Sequence, residues 1–188
     1  CGGDSNLAAG YYSVVGGGCG DTVIALWGGI LGGGANTAGD QATDTCATVG
    51  GGNGNHAVGK CSGGGRGLNS YPTGPNSTVS GGENNLASGY NSAVGGGLYN
   101  RAAGSASVAA GGDSNYAATS FTAVGGGRRN QATAVYSAVA GGDYCLSGGS
   151  YAFTACSLSR VTSSYSNSVA LNGQIATSSN QTRVGILV

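Results

Sequence analysis

A fifteen-residue periodicity constrains this chain more than any other feature. The motif Ser-Ala-Val-Gly-Gly-Gly and its variants begin at Ser77, Ser92, Ser107, Thr122 and Ser137, always fifteen apart. Extending the step backwards reaches Ser62 and Ala47, and extending it forwards reaches Ala152, Asn167 and Thr182. Before Ala47 the spacing slips once: Ser13 to Gly28 is fifteen residues, Gly28 to Ala47 nineteen. A four-residue insertion therefore lies within 28–46, near Asp40–Asp44. A repeat of this kind cannot bury its own apolar side, so neighbouring copies must stack.

Numbering the Ser77-type residue 1, position 3 is Val79, Val94, Ala109, Val124 and Val139, then Thr154, Val169 and Val184. Position 9 is Asn85, Asn100, Asn115 and Asn130, with Asn6 and Asn55 before them. Position 11 is Ala87, Ala102, Ala117 and Ala132. Side chains alternate across a strand, so if the Val and Ala columns are core, positions 1, 3, 5, 9, 11 and 13 point inward. One repeat then reads as a short strand, a glycine turn, a second short strand and another turn. The fold expected is an all-β parallel β-solenoid of about twelve coils with two short strands each. At a strand spacing of roughly 4.8 Å it makes a rod on the order of 55–60 Å long. Asparagine in a turn column forms side-chain ladders or tolerates left-handed backbone. The chain reads as one domain, 1–188, with N-terminal coils 1–46, regular coils 47–151 and divergent coils 152–188. In that last part glycines fade, Leu171, Ile175 and Ile186 are expected in core columns, and Val184, Ile186, Leu187 and Val188 form an apolar terminal strand.

Composition removes several function classes. Seven Lys plus Arg balance seven Asp plus Glu, which leaves no electrostatic footprint for nucleic acid. The 41 glycines come with only two prolines, unlike collagen. No apolar stretch approaches the roughly 20 residues of a membrane-spanning helix. The single histidine, His56, falls at an outward position, so neither a zinc site nor a Ser-His-Asp triad can be assembled. The glycine runs lack the Lys-Ser/Thr of a phosphate loop. No catalytic, metal or cofactor-binding residues are expected, and the chain does not read as an enzyme.

Six cysteines without zinc or redox spacing point to an oxidising, extracellular or cell-surface setting. Cys46 and Cys61 both fall at position 15 of consecutive coils, within disulfide reach. Cys145 and Cys156 lie in adjacent coils and are expected to pair. Cys1 and Cys19 remain: they pair locally, or Cys1 bonds a neighbouring molecule or carries a lipid. Asn76 and Asn180 head glycosylation sequons.

The outward positions differ between the two strands. Position 2 reads Thr78, Ala93, Val108, Ala123 and Ala138, and position 4 includes Ala110 and Ala140. That face is flat, small and uncharged, as a contact surface would be. Charge gathers at position 7, where Arg128 falls between Asp113 and Asp143. Aromatic residues gather at the opposite turn, at Tyr11, Tyr12, Tyr90, Phe121, Tyr136, Tyr151 and Tyr165. They read either as a cover along the roll's edge or as a sugar-binding ridge.

The pattern N-x-A-x-G-x-x-S-x-V-x-G, carried by Asn6–Gly17 and Asn85–Gly96, with Asn-Ser-Val-Ala-Leu at Asn167–Leu171, resembles the YadA-like head repeat of trimeric autotransporter adhesins. The resemblance implies a left-handed parallel β-roll packed as a trimer through one sheet of each roll. With no heptads and no anchor in the sequence, the function expected is a structural subunit of an extracellular fibre or surface assembly. It would associate with itself, as homopolymer or homotrimer, through its ends or its flat face, with glycans as a possible further partner. The alternatives are a trimeric adhesin head and an ice-binding solenoid.

Overall fold

The computed structural model describes residues 2–41, 44–155 and 157–185. Within them the chain is a parallel β-solenoid of about twelve turns of some fifteen residues, with no helix. One side is a 12-stranded sheet holding the first strand of every coil. The other side is divided into a 4-stranded and an 8-stranded sheet built from the second strands. Every pairing is parallel and joins equivalent positions of successive coils, as in Thr78↔Ala93↔Val108↔Ala123↔Ala138. The four-residue insertion falls between Ala38 and Thr45, because Ala38 pairs with Ala57 and Leu26 bridges to Thr45. It is closed by Asp44, whose carboxylate accepts from the Asp40 and Gln41 amides at 3.1 Å each.

The interior is thin. Val79, Val94, Val124 and Val139 from one side meet Ala87, Ala102, Ala117 and Ala132 from the other, all buried. Such small side chains supply little apolar area, so hydrogen bonds among polar interior groups must contribute much of the cohesion. The position-9 asparagines supply them, while inward hydroxyls such as those of Ser77 and Ser107 have no partner. Each Asn115-type amide donates to the position-5 carbonyl of its own coil (Gly111 O, 2.7 Å) and to the position-6 carbonyl of the next (Gly127 O, 2.9 Å). Its oxygen accepts the amide N–H of the next asparagine, Asn130, at 3.0 Å. The same three bonds recur at Asn85 and Asn100. The expected ladder is thus present, but position 9 is not the left-handed one. Left-handed backbone occurs one residue earlier, at Asn84, Tyr99, Ser114, Arg129 and Tyr144, and again at position 15.

Glycine at position 6 is part of the same device. Gly112 has φ +90°, and a Cβ there would meet Gly127 O at 2.1 Å and Asn115 Nδ2 at 2.8 Å. No other residue leaves room for the ladder.

Asp21 breaks the series. It is fully buried at position 9; its Oδ1 accepts from the Asn36 amide and side chain at 2.9 and 3.0 Å, but its Oδ2 has no partner. Cys145 and Ser159 also replace asparagine. The Cys145 amide still donates to Asn130 Oδ1 at 2.9 Å. Ser159 keeps one ladder bond, donating to Ala155 O at 2.7 Å, and accepts from the Gly173 amide at 3.0 Å, one residue before the place the ladder uses.

The C-terminal register differs from a strict fifteen-residue step. Phe153 pairs with Val169, sixteen residues on, and Val169 with Thr182, thirteen on. With the glycine triplets gone, the first turn shortens, while the return corner between Val161 and Ser168 lengthens. The core column therefore runs Val139, Thr154, Ala170, and the buried residues are Val161, Ala170 and Ala176. Val169 and Leu171 face outward and are half-buried; Ile175 and Val184 are exposed, at 51% and 59%. The expectation that Val169, Val184, Leu171 and Ile175 fill core columns is corrected accordingly. Of the terminal strand, Val184 lies in Thr182–Val184; Ile186, Leu187 and Val188 lie outside the described residues.

The second side is divided at Pro72. It occupies position 11, where flanking coils carry Ala57 and Ala87, and it has no N–H to give to the ladder. The His56 and Val58 amides still cross there, to Ser70 O at 2.9 Å and Pro72 O at 3.3 Å, as the matching amides do in regular coils.

The ladder makes a two-sided prediction. Asn115→Ala leaves the Gly111 carbonyl and the Asn130 N–H unmet, while Gly127 O keeps the Asp113 amide; at about 1–3 kcal/mol per unmet group it lowers the unfolding midpoint in calorimetry. Asp21→Asn supplies the missing donor toward Gly17 and Gly33 and raises it. An unchanged or lowered midpoint for Asp21→Asn contradicts this account of the interior.

Candidate functional site

The 12-stranded sheet presents its outward positions 2 and 4 to solvent. Thr78, Ala93, Val108, Ala123 and Ala138 lie in adjacent strands in one row, with Phe153 next in line. Val108, Ala123, Ala110 and Ala140 are exposed, while Ala93 and Ala138 are half-buried by their neighbours. No charged side chain occurs at position 2 or 4 in any coil: the rows run from Val14 to Thr182 and from Gly16 to Val184 through Gly, Ala, Ser, Thr, Val, Leu and Phe alone. Position 4 also alternates, Gly65, Ser80, Gly95, Ala110, Gly125, Ala140. A Cβ on Gly95 would meet Ala110 O at 2.1 Å, and one on Gly125 would meet Ala140 O at 2.3 Å. The repeat is therefore a pair of unlike coils, which the fifteen-residue alignment did not reveal.

Position 15 is a corner column in which every residue is left-handed and like stacks on like. Tyr12 and Trp27 are followed by Cys46 and Cys61, Asn76 and Asn91, Ala106, then Phe121, Tyr136 and Tyr151, all with φ between 52° and 60°. Non-glycine residues rarely take this conformation. Here it is held by coil-to-coil hydrogen bonds, such as Cys61 N to Thr45 O at 2.7 Å and Asn76 N to Lys60 O at 2.8 Å. The sequence signal, asparagine at both corners, was present but was read at position 9.

Phe121, Tyr136 and Tyr151 stack face to face, with centroids 4.9 Å apart and ring planes within 7° and 11°. Their faces cover one another, so the ladder offers edges rather than a platform on which a sugar ring could lie. Tyr11 and Tyr12 meet edge to face at 5.2 Å. Tyr165 packs against the last core cluster instead of joining the ridge, and Tyr90 is exposed one position before the corner. The aromatic edge is thus one three-ring stack with separate neighbours. Asn76 donates to Asn91 Oδ1 at 3.0 Å on the same corner; Asn76 and Asn180 are both exposed there.

Cys46 and Cys61 occupy adjacent places in this column and are exposed. The expected disulfide is not formed: both are thiols. A hydrogen bond with the Cys61 thiol holds the Cys46 thiol above its usual range. Cys19 is exposed, and its backbone forms parallel bridges to Asp4 and Gly34 along the stack. Cys1 and Cys156 lie outside the described residues, so neither the Cys1–Cys19 nor the Cys145–Cys156 pairing is addressed by the structure.

At the other corner Arg128 forms a bidentate ion pair with Asp143, Nε to Oδ1 at 3.0 Å and Nη2 to Oδ2 at 2.9 Å. The hydrogen bond from Arg128 holds the Asp143 carboxyl below the usual carboxylate range. Arg128 does stand between Asp113 and Asp143 in the backbone ladder, but it pairs with Asp143 alone, and Asp113 accepts from the Ser114 hydroxyl at 2.7 Å. His56 packs edge to face with Tyr71 at 6.4 Å. Among the described residues no three His, Cys, Asp or Glu side chains gather as metal ligands, and no helix is long and apolar enough to cross a membrane. No protein-family model matches the sequence, and no curated protein matches it significantly.

Two predictions follow from these columns. Oxidised glutathione should join Cys46 to Cys61, seen as the loss of two hydrogens in intact mass and abolished by Cys61→Ser; closing a fifteen-residue loop is worth about 3 kcal/mol. Gly125→Ala should lower the thermal midpoint sharply, whereas Ala110→Gly on the same row costs only about 0.5–1 kcal/mol. Equal effects would show that the alternation carries no steric meaning.

Proposed function

We propose that this chain is a structural module of an extracellular assembly that associates with copies of itself through the outward face of the 12-stranded sheet. The observation that carries this reading is the complete absence of charge from positions 2 and 4 of that face. All fourteen charged side chains lie elsewhere, at turns, corners, the second sheet, the interior or the final core column. A flat surface of Gly, Ala, Ser, Thr and Val is complementary to another copy of itself. It sets no like charges against each other, and small side chains let the two sheets approach to about 10 Å. Val108 and Phe153, both about 40% exposed, supply apolar anchors on it. Unpaired strand edges add a second route, because a parallel ladder can be extended by any copy in register.

The resemblance of the repeat to YadA-like heads favours a defined trimer over an open polymer, with the same sheet as its interface. Under that reading an adhesive role follows from surfaces left outside the trimer. Ice binding is less well supported: hydroxyls on the face are scattered over Thr48, Thr78, Ser80 and Thr182 rather than forming a sustained row.

Sedimentation velocity over a concentration series tests the proposal. The unsubstituted protein should form trimers or larger species, and Ala93→Lys, Ala123→Lys and Ala138→Lys together should shift it to monomer while the circular dichroism spectrum is retained. Monomer at every concentration for the unsubstituted protein would overturn self-association. Unchanged assembly of the triple variant would move the interface away from this face.

A further inference from the structure

Four of the chain's seven cations, Arg101, Arg128, Arg129 and Arg160, gather on the corner and sheet opposite the neutral face. Arg128 is engaged by Asp143, the only ion pair among the described residues. Arg129 and Arg160 have no carboxylate within salt-bridge distance there, and both are exposed. Between them lies a depression of about 230 Å³, with Gln131, Tyr144, Cys145, Leu146 and Leu158 completing its lining. No acidic side chain lines it.

The fold builds this depression from two columns. Gln131, Leu146 and Arg160 are register partners on successive strands, so a half-buried leucine forms the floor between an amide and a guanidinium. Arg129, Tyr144 and Leu158 occupy the left-handed corner beside it, with φ of 54°, 57° and 58°. That corner is pinned coil to coil, Tyr144 N to Arg128 O at 3.0 Å and Leu158 N to Asp143 O at 2.8 Å. The Arg129 guanidinium lies 5.0 Å from the Tyr144 ring centroid, and Arg128 5.8 Å from it. Stacking fixes the Arg129 head while leaving its N–H edge available.

We infer that this depression binds one acidic sugar residue of a uronate-bearing polysaccharide. The volume is below the roughly 300–1,000 Å³ that receives a drug-sized ligand, which limits the occupant to about a single ring. Two unpaired guanidiniums call for an anion, and the planar fork suits a carboxylate. The exposed Leu158 and the Leu146 floor call for an apolar C–H face on that same ligand, which a bare inorganic anion lacks. The Gln131 amide offers both a donor and an acceptor to hydroxyls. This inference is independent of self-association, since the site lies off the neutral sheet face.

Calorimetric titration of the full chain with a short galacturonate oligosaccharide tests it, with the fully methyl-esterified oligosaccharide and inorganic sulfate as probes. Saturable binding of the acid form is expected, weakened about ten-fold, or 1.4 kcal/mol, by Arg129→Gln or Arg160→Gln. Leu158→Ser should weaken it too, and Arg66→Gln, far along the rod, should leave it unchanged. All four positions are exposed, so these variants keep the fold, which circular dichroism checks. The inference is overturned by no binding, by equal binding of the methyl ester, or by equal weakening in Arg66→Gln. It is overturned equally if sulfate binds as tightly and Leu158→Ser has no effect, which is the signature of an anion site only.

Discussion

The buried asparagine ladder is the interaction on which the rest of the structure depends. A core of valine against alanine is too thin to fix one coil's register on the next by shape. The amide does so by valence: two N–H groups and one oxygen find partners only when coil n stands one strand spacing from coil n+1. That requirement explains the neighbouring glycine, whose missing Cβ is the space the amide occupies. It also explains why replacements at position 9 are small or hydrogen-bonding. Ser159 keeps the bond within its own coil, and Asp21 fills the place at the expense of an orphaned oxygen.

The regular part of the fold was legible in the sequence because its two signals agree. The fifteen-residue step and the inward alternation of Ser, Val, Asn and Ala both reflect backbone geometry that repeats without change. Legibility ends where the coil length changes. In the last coils Val169 looks like the next member of the valine column, yet the return corner between Val161 and Ser168 has lengthened by more than the glycine-poor turn before it has shortened, so Ala170 holds the core place instead. The left-handed corners were hidden for a different reason. Tyr136, Phe121 and Cys61 have no local preference for positive φ; the coil-to-coil bonds of the corner impose it, and such bonds belong to the stack rather than to the sequence around each residue.

Segregation of chemistry among the sides follows from this architecture. Every column runs the length of the rod, so a property placed at one position is repeated at strand spacing. The 12-stranded side is neutral and flat, one corner carries stacked pairs of identical or similar side chains, and the opposite corner carries the arginines. A neutral side suited to contact with copies of itself leaves the charged corner turned outward, where the depression between Arg129 and Arg160 remains open. The same reasoning separates the aromatic stack from ligand binding, since rings that cover each other's faces stiffen an edge and present little to a ligand.

Pro72 makes one coil unequal on its two sides. On its side the coil lacks the one N–H that a position-11 residue would give, though the His56 and Val58 amides still cross, while across the interior the same coil contributes the six-residue strand Gly63–Leu68, paired at five positions with Thr48–Asn53 before it and with Thr78–Glu83 after it. At this coil the proline side is therefore held by fewer backbone bonds than the long sheet, and bending that opens that side meets less resistance than bending the other way.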